Sequence, residues 1–236
     1  MRRSVLASLI ALSLPALALG HGDVAPQPMD TKALPEVGKE WREENPYRSA
    51  KAGQKVWETA IKIGASGYNQ NCARCHGLEG VSGGLAPDLR FLEADLDGDE
   101  WYIERFRKGY TQNGITKMPA FGKLLGQKAA WAIRTYIETR PDDGALDSHT
   151  ATLGTIRDDL VKKAKSLAAG AKYADMKGEI EAHVATMKKM VGSIATGSGA
   201  PVADSPVSRA LSALDGTAKG VKAAADTLTI GLSAAK

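Results

Sequence analysis

Cys72-Ala73-Arg74-Cys75-His76 decides the reading of this 236-residue chain. Two thiols three positions apart on a helix share one face, and an imidazole follows them directly. That is the spacing of covalent haem attachment, in which the thiols add to two vinyl groups and His76 reaches the iron. Two other uses of such a pair stand beside it: a thioredoxin-like redox couple, which wants a βαβ setting, and half of a zinc site, which wants a second ligand pair. Cys72 and Cys75 are the only cysteines in the chain. One covalently attached haem c is therefore expected.

The opening segment MRRSVLASLIALSLPALALG joins Arg2 and Arg3 to an apolar run of roughly fifteen residues and small residues at Ala18 and Gly20, the pattern of a secretory signal. Residues 1–20 are expected to be removed, and the alternative of a retained anchor is opposed by Pro15 and the small-residue exit. The mature chain would begin at His21, a position able to chelate copper but with no partner histidine nearby. No other run is long and apolar enough to span a membrane. Export agrees with covalent haem attachment, and the expected location is the periplasm.

Charge divides the remainder. Residues 21–148 carry 17 Lys and Arg against 19 Asp and Glu, a balance of −2, whereas 149–236 carry 12 against 8, or +4. That basicity is too dilute and too poor in aromatics to indicate nucleic-acid binding.

Pro26, Pro28, Pro35 and Pro46 forbid a continuous helix over 21–48 and predict an extended arm anchored by Trp41 and Tyr47. From Ser49, the residues Val56, Ala60, Ile61, Gly64 and Tyr68 recur at helical spacing and lead into Cys72. At Gly64 and Gly67 the helix either breaks or lets another helix approach closely. A helix over about 127–139, with Ala130, Ile133, Tyr136 and Ile137 on one face, supplies a partner that would cross at Gly64. Between them, Asp99-Glu100-Trp101-Tyr102-Ile103 reads as a capped helix start, with Gly109 as its stop. No stretch alternates over strand length, so residues 49–148 are predicted to form an all-α haem domain.

The second axial ligand is expected from Lys117-Met118-Pro119-Ala120-Phe121-Gly122, where Pro119 keeps Met118 extended and out of a helix. Of the other mature methionines, Met176, Met187 and Met190 fall on helical faces, where the residue fills space. With His76 below and Met118 above, the iron has no vacant position, which favours one-electron exchange and raises the potential. Leu85, Leu89, Ile103, Phe106 and Phe121 are expected to form an apolar shell around the group.

Gly64 and Tyr68 stand eight and four residues before Cys72; Pro87 follows the CxxCH, a Met-Pro comes later, and an aromatic-rich helix closes the unit. Residues of roughly 50–140 thereby resemble the class I, Met/His-ligated cytochromes c. The resemblance implies that the Pro87 carbonyl hydrogen-bonds the His76 imidazole. The stretches Ile63–Asn71 and His76–Arg90, with Glu40-Trp41, are similar to the cytochrome c-550 proteins that accept electrons from pyrroloquinoline-quinone-dependent alcohol dehydrogenases. That similarity implies a quinoprotein alcohol dehydrogenase as donor, a terminal oxidase or another cytochrome as acceptor, and an electron carrier rather than an enzyme.

Asp95, Asp97, Asp99 and Glu100 lack the full calcium-loop arrangement and read as a solvated loop that caps the next helix. Arg74, Arg90 and Arg105 are candidates for haem propionates or for plain surface solvation. Residues 149–236 lie outside the resemblance and are Ala- and Lys-rich. They predict helices over about 151–169, 173–192 and 206–234, packed as a small bundle or partly unfolded. Ser205-Pro206 caps the last, and Gly197–Pro201 forms a linker. His183 and Met187, four apart, offer a copper pair or an ordinary helix face. Two other functions remain open: a haem enzyme with an accessible iron, against which the Met118 segment argues, and a subunit docked in a dehydrogenase complex through the extension.

Overall fold

The computed structural model describes residues 26–234, so the signal segment 1–20 and His21 lie outside the described residues. A proline-interrupted arm, residues 26–48, precedes a short turn of helix, α1 (Ser49–Ala52). It is followed by α2 (Gln54–Asn71), α3 (Ala73–His76), α4 (Leu96–Lys108), the strands β1 (Tyr110–Gln112) and β2 (Ile115–Met118), and α5 (Gly122–Glu138). Among the described residues four further α-helices follow: α6 (Thr150–Ala168), α7 (Lys177–Val191), α8 (Pro206–Ala213) and α9 (Ala218–Ala234).

Trp57, Ala60, Ile61, Gly64, Gly67 and Tyr68 form the buried stripe of α2, which runs unbroken through both glycines. A Cβ on Gly64 would overlap the Ala132 carbonyl of α5, and one on Gly67 would overlap the Met29 side chain of the arm. Close approach, not helix breaking, is thus the reason for both. Tyr68 and Tyr136 meet across the crossing in a tilted ring contact, with centroids 5.3 Å apart.

The break falls instead in α5. Gly126, at φ 75°, separates a lead-in turn from the segment beginning at Gln127. The residues that follow are buried almost continuously because the arm covers the face that α2 and α4 leave. Leu34, Val37 and Tyr47 enter the same core, and Gln127 Nε2 donates to the carbonyls of Gly38 and Glu40 at 2.9 and 2.8 Å.

Helix α4 starts earlier than expected. Asp95 is its cap, accepting from Gly98 N at 2.9 Å, and Gly109 closes it at φ 70°. Asp99 is consequently not part of a solvated loop. It is fully buried, 2.9 Å from Arg134 Nε and 2.7 Å from Arg48 Nη2, and it accepts from Asn45 N at 2.8 Å. Arg48 also meets Glu138 at 2.9 Å, which ties arm, α4 and α5 through one ion network.

The chain is all-α as expected, with one short antiparallel hairpin, β1 and β2, added to the helices. Its turn is Asn113-Gly114, at φ 52° and 74°, the left-handed pair that a tight hairpin requires.

Helices α6–α9 bury a second core from Leu153, Ile156 and Leu160, Ile180 and Met187, Val207, and Val221, Ala224 and Leu228. The expected helix over 206–234 is interrupted, because Asp215 Oδ1 accepts from Thr217 N and Gly216 takes φ 85°. Ser205 and Ser208 form a reciprocal cap with Pro206 in the first turn of α8. Met187 lies inside this core, whereas His183 Nε2 is engaged by Asp159 Oδ2 at 2.7 Å, so the two residues form no shared site.

Gly197–Pro201 is not a free linker. Ser198 is buried, its carbonyl accepts from Ala94 N at 2.9 Å, and its hydroxyl donates to Glu138 O. Gly197 packs so closely on the Phe91 ring that a Cβ would overlap it. Asp142 N donates to Ala195 O at 2.9 Å and Ala203 N to Thr139 O at 3.2 Å. Small residues let this backbone exchange water for main-chain partners on the first core.

Candidate haem-binding site

Cys72 ends α2 and starts α3, its amide donating to Tyr68 O at 2.8 Å. The amides of Cys75 and His76 both return to Cys72 O, at 3.1 and 3.0 Å, so one tight turn presents two thiols and an imidazole. Both thiols are free, Cys72 partly buried and Cys75 exposed. Burial, with the neighbouring Cys75 adding to it, pushes the Cys72 thiol up to about 12 and keeps it protonated.

His76 is buried, and its Nδ1 lies 2.8 Å from Pro87 O. A carbonyl can only accept, so Nδ1 carries the proton and Nε2 keeps its lone pair for a metal. The loop that delivers Pro87 is held on both sides. Tyr68 Oη donates to Gly77 O at 2.9 Å, and Ser82 bonds Ala86 O and takes its amide to Asp88 Oδ2 at 3.2 Å. Burial would raise the Asp88 carboxyl, but hydrogen bonds from the Arg90 side chain and from the Arg90 and Ser82 amides outweigh it and hold it below its usual range.

Arg90 is therefore neither solvated nor available to a propionate. It is buried, meeting Asp88 and Asp143 at 2.7 Å each and donating to Pro141 O at 3.3 Å. Arg105 lies 5.3 Å from the ring centroids of both Trp101 and Tyr110, and Arg74 is exposed on α3.

Met118 ends β2 opposite Tyr110 and packs, like Cys72, against the first core. Gly109 fits under it because a Cβ there would overlap the Met118 carbonyl, and Phe121 N donates to Phe106 O at 2.9 Å. The strands of this hairpin are too short for alternation to reveal them, although Asn113-Gly114 is its signal.

The surroundings suit a flat apolar group. Leu78, Leu85, Ile115 and Leu124, on the segments flanking His76, Pro87 and Met118, are 72, 78, 59 and 62% exposed in the protein alone. Apolar exposure of that kind marks a surface awaiting cover. Of the expected shell, Leu89, Ile103, Phe106 and Phe121 lie in the first core, whereas Leu85 is on this open rim. Among the described residues no group of three or more His, Cys, Asp or Glu could hold a bare metal ion. A zinc centre on the Cys-x-x-Cys pair thus has no second ligand pair there.

Over 131 residues the chain is 54% identical to cytochrome c550 of Pseudomonas aeruginosa, an alignment covering 56% of this chain and 88% of that protein. The chain belongs to the class I cytochromes c. A family model for subunit III of cbb3-type cytochrome c oxidase matches residues 59–137 of this cytochrome. Two quinohemoprotein alcohol dehydrogenases of Pseudomonas putida are more distant. ADH IIB is 29% identical over 93 residues, 39% of this chain and 13% of that protein; ADH-IIG is 31% identical over 84 residues, 36% and 11%. No solved structure matches the chain. As a cytochrome of this family it carries one covalently bound haem c and acts as an electron carrier rather than an enzyme.

Proposed function

We propose that this cytochrome is a periplasmic shuttle that takes single electrons from a quinoprotein alcohol dehydrogenase and passes them to a terminal oxidase or another cytochrome. In this reading Cys72 and Cys75 would hold the haem covalently, His76 and Met118 would ligate its iron, and Pro87 would fix the His76 ring. When bound, the group supplies a one-electron Fe(III)/Fe(II) couple. With both side chains bound the iron would have no vacant position for a small molecule, and the first core would shield it partly from water. Pro87 holds Nδ1–H and thereby strengthens the His76 ring as a donor, while a thioether at Met118 favours the reduced state.

The observation that carries the site is the His76–Pro87 contact at 2.8 Å, which leaves Nε2 free. The donor assignment is supported by the two quinohemoprotein alcohol dehydrogenases, which share a segment with this cytochrome. Among the described residues no helix is long and apolar enough to cross a membrane.

The test is anaerobic mixing of the oxidised, full-length protein with a purified pyrroloquinoline-quinone alcohol dehydrogenase and its alcohol. Stoichiometric reduction faster than that of an unrelated c-type cytochrome is expected, and no reduction would overturn the donor. Replacement of Cys72 and Cys75 by Ala abolishes haem that survives denaturing electrophoresis.

A further inference from the structure

We propose that Arg209, which belongs to the C-terminal helical unit, is a positioning residue for the haem loop and acts on His76 through Glu79. This rests on His76 being the haem ligand.

Glu79 stands three residues after His76 at φ 62° and ψ 9°, a left-handed conformation that a residue with a Cβ adopts only when its surroundings hold it there. What holds it comes partly from outside the haem half. Arg209 Nη1 donates to Glu79 Oε1 at 3.0 Å and Nη2 to Oε2 at 3.1 Å, a two-pronged clasp, and Arg140 Nη2 donates to the same carboxylate. Arg140 in turn meets Asp204 Oδ2 at 2.8 Å and lies 5.0 Å from the Tyr136 ring centroid. Asp204 faces Arg209 Nε at 3.5 Å, closing the cluster. Two cations and two anions therefore balance, with Glu79 and Arg140 from the haem half and Asp204 and Arg209 from the extension.

The placement of Glu79 gives the cluster its function. The chain from Gly77 to Asp88 carries Pro87 back to the imidazole, and a carboxylate stands near each end. Asp88 is gripped by Arg90 of the haem half, with Nη2 to Oδ2 at 2.7 Å. At the other end the carboxylate of Glu79 is shared between Arg140 and Arg209, so the grip is completed only when the extension is docked. Gly80 seats the same loop on the Arg90 side chain, where a Cβ would come within 2.9 Å of Cγ. Without the Arg209 fork the Glu79 end rests on Tyr68 and Arg140 alone, and the play it gains reaches the Pro87 O–Nδ1 contact through Ser82, whose hydroxyl bonds Ala86 O. A weaker hydrogen bond there makes the ring a poorer donor and favours reduced iron.

Arg209→Lys in the full-length protein is the decisive variant, because lysine keeps the charge but cannot fork onto a carboxylate. The amides of Gly77, Val81 and Ser82 are expected to exchange roughly two- to fivefold faster, the size of one partly exposed ion pair. The midpoint potential shifts upward, while haem content, the low-spin spectrum and amide protection in α6–α9 stay as in the parent. Arg209→Gln gives the same faster exchange. Unchanged exchange and potential in both variants would overturn the proposal, as would loss of protection throughout α6–α9, which would make Arg209 a support of the bundle alone. A parent protein lacking a histidine-ligated low-spin spectrum removes the His76 assignment before any variant is compared.

Discussion

Gly64 of α2 lies against the main-chain carbonyl of Ala132 in α5, with no room for a methyl group between them. Backbone cannot swing aside as a side chain would, so the helices that frame the haem loop meet at a distance only glycine permits. Gly64→Ala is expected to destabilise the protein by about 2–4 kcal/mol despite the better helix propensity of alanine. The check is a urea titration in which the midpoint falls and the slope holds. Gly154→Ala, in α6 with only the Arg157 guanidinium at 4.0 Å, reverses the sign and stabilises by about 0.5–1 kcal/mol.

Met118 sits at the end of a strand, fixed by the hairpin and by Phe121 N bonding back to Phe106 O at 2.9 Å. Met118→Ala keeps the fold and removes the thioether. Its oxidised spectrum is expected to lose the weak near-infrared sulfur-to-iron band, to bind added imidazole, and to accompany a lower potential. A band that survives the substitution transfers the ligand role to another residue.

Asp99 and Arg134 are both fully buried and 2.9 Å apart. Asp99→Asn leaves a guanidinium without its carboxylate in the core and is expected to cost about 3–5 kcal/mol. Thermal unfolding of the reduced protein reads the loss. A change below about 1 kcal/mol would mean that Glu138, 3.9 Å from Arg134, takes over the pairing.

Acid should release the Glu79 clasp. Burial raises the Glu79 carboxyl, but Arg140 and Arg209 outweigh it and hold it below the usual carboxylate range. A depressed carboxylate stabilises the fold fully above its unfolded value, and that contribution is lost as pH falls through the folded one. Because Glu79 and Arg209 are 41 and 40% exposed, the contribution stays under about 1 kcal/mol. The stability difference between parent and Glu79→Gln is expected to shrink on acidification from pH 6 to 3, and a constant difference would refute the linkage.

Much of the haem half is legible from residue order because its signals are local. The turn at Cys72–His76 depends on spacing within a few residues, and helix stripes such as Trp57–Tyr68 repeat every turn. The hairpin was equally local, since Asn113-Gly114 between short strands is a turn signal, but four residues of β2 are too few to show alternation. The start of α4 is ambiguous in the sequence for a different reason. Asp95 and Asp99 are both plausible caps in sequence, and only the buried Arg134 draws Asp99 inward and leaves Asp95 to cap.

The sequence by itself determined the chemistry available to this cytochrome: two thiols and an imidazole in one turn, a methionine kept extended by proline, and helices written by their apolar stripes. Tertiary structure decided what those pieces are held by. It chose close approach over helix breaking at Gly64, packed Gly197–Pro201 onto the haem half, split α8 from α9, and brought Arg209 to Glu79 across 130 residues of chain. Each of these depends on partners far apart in sequence, and a residue's neighbours in the chain carry no record of which distant carbonyl or carboxylate will meet it.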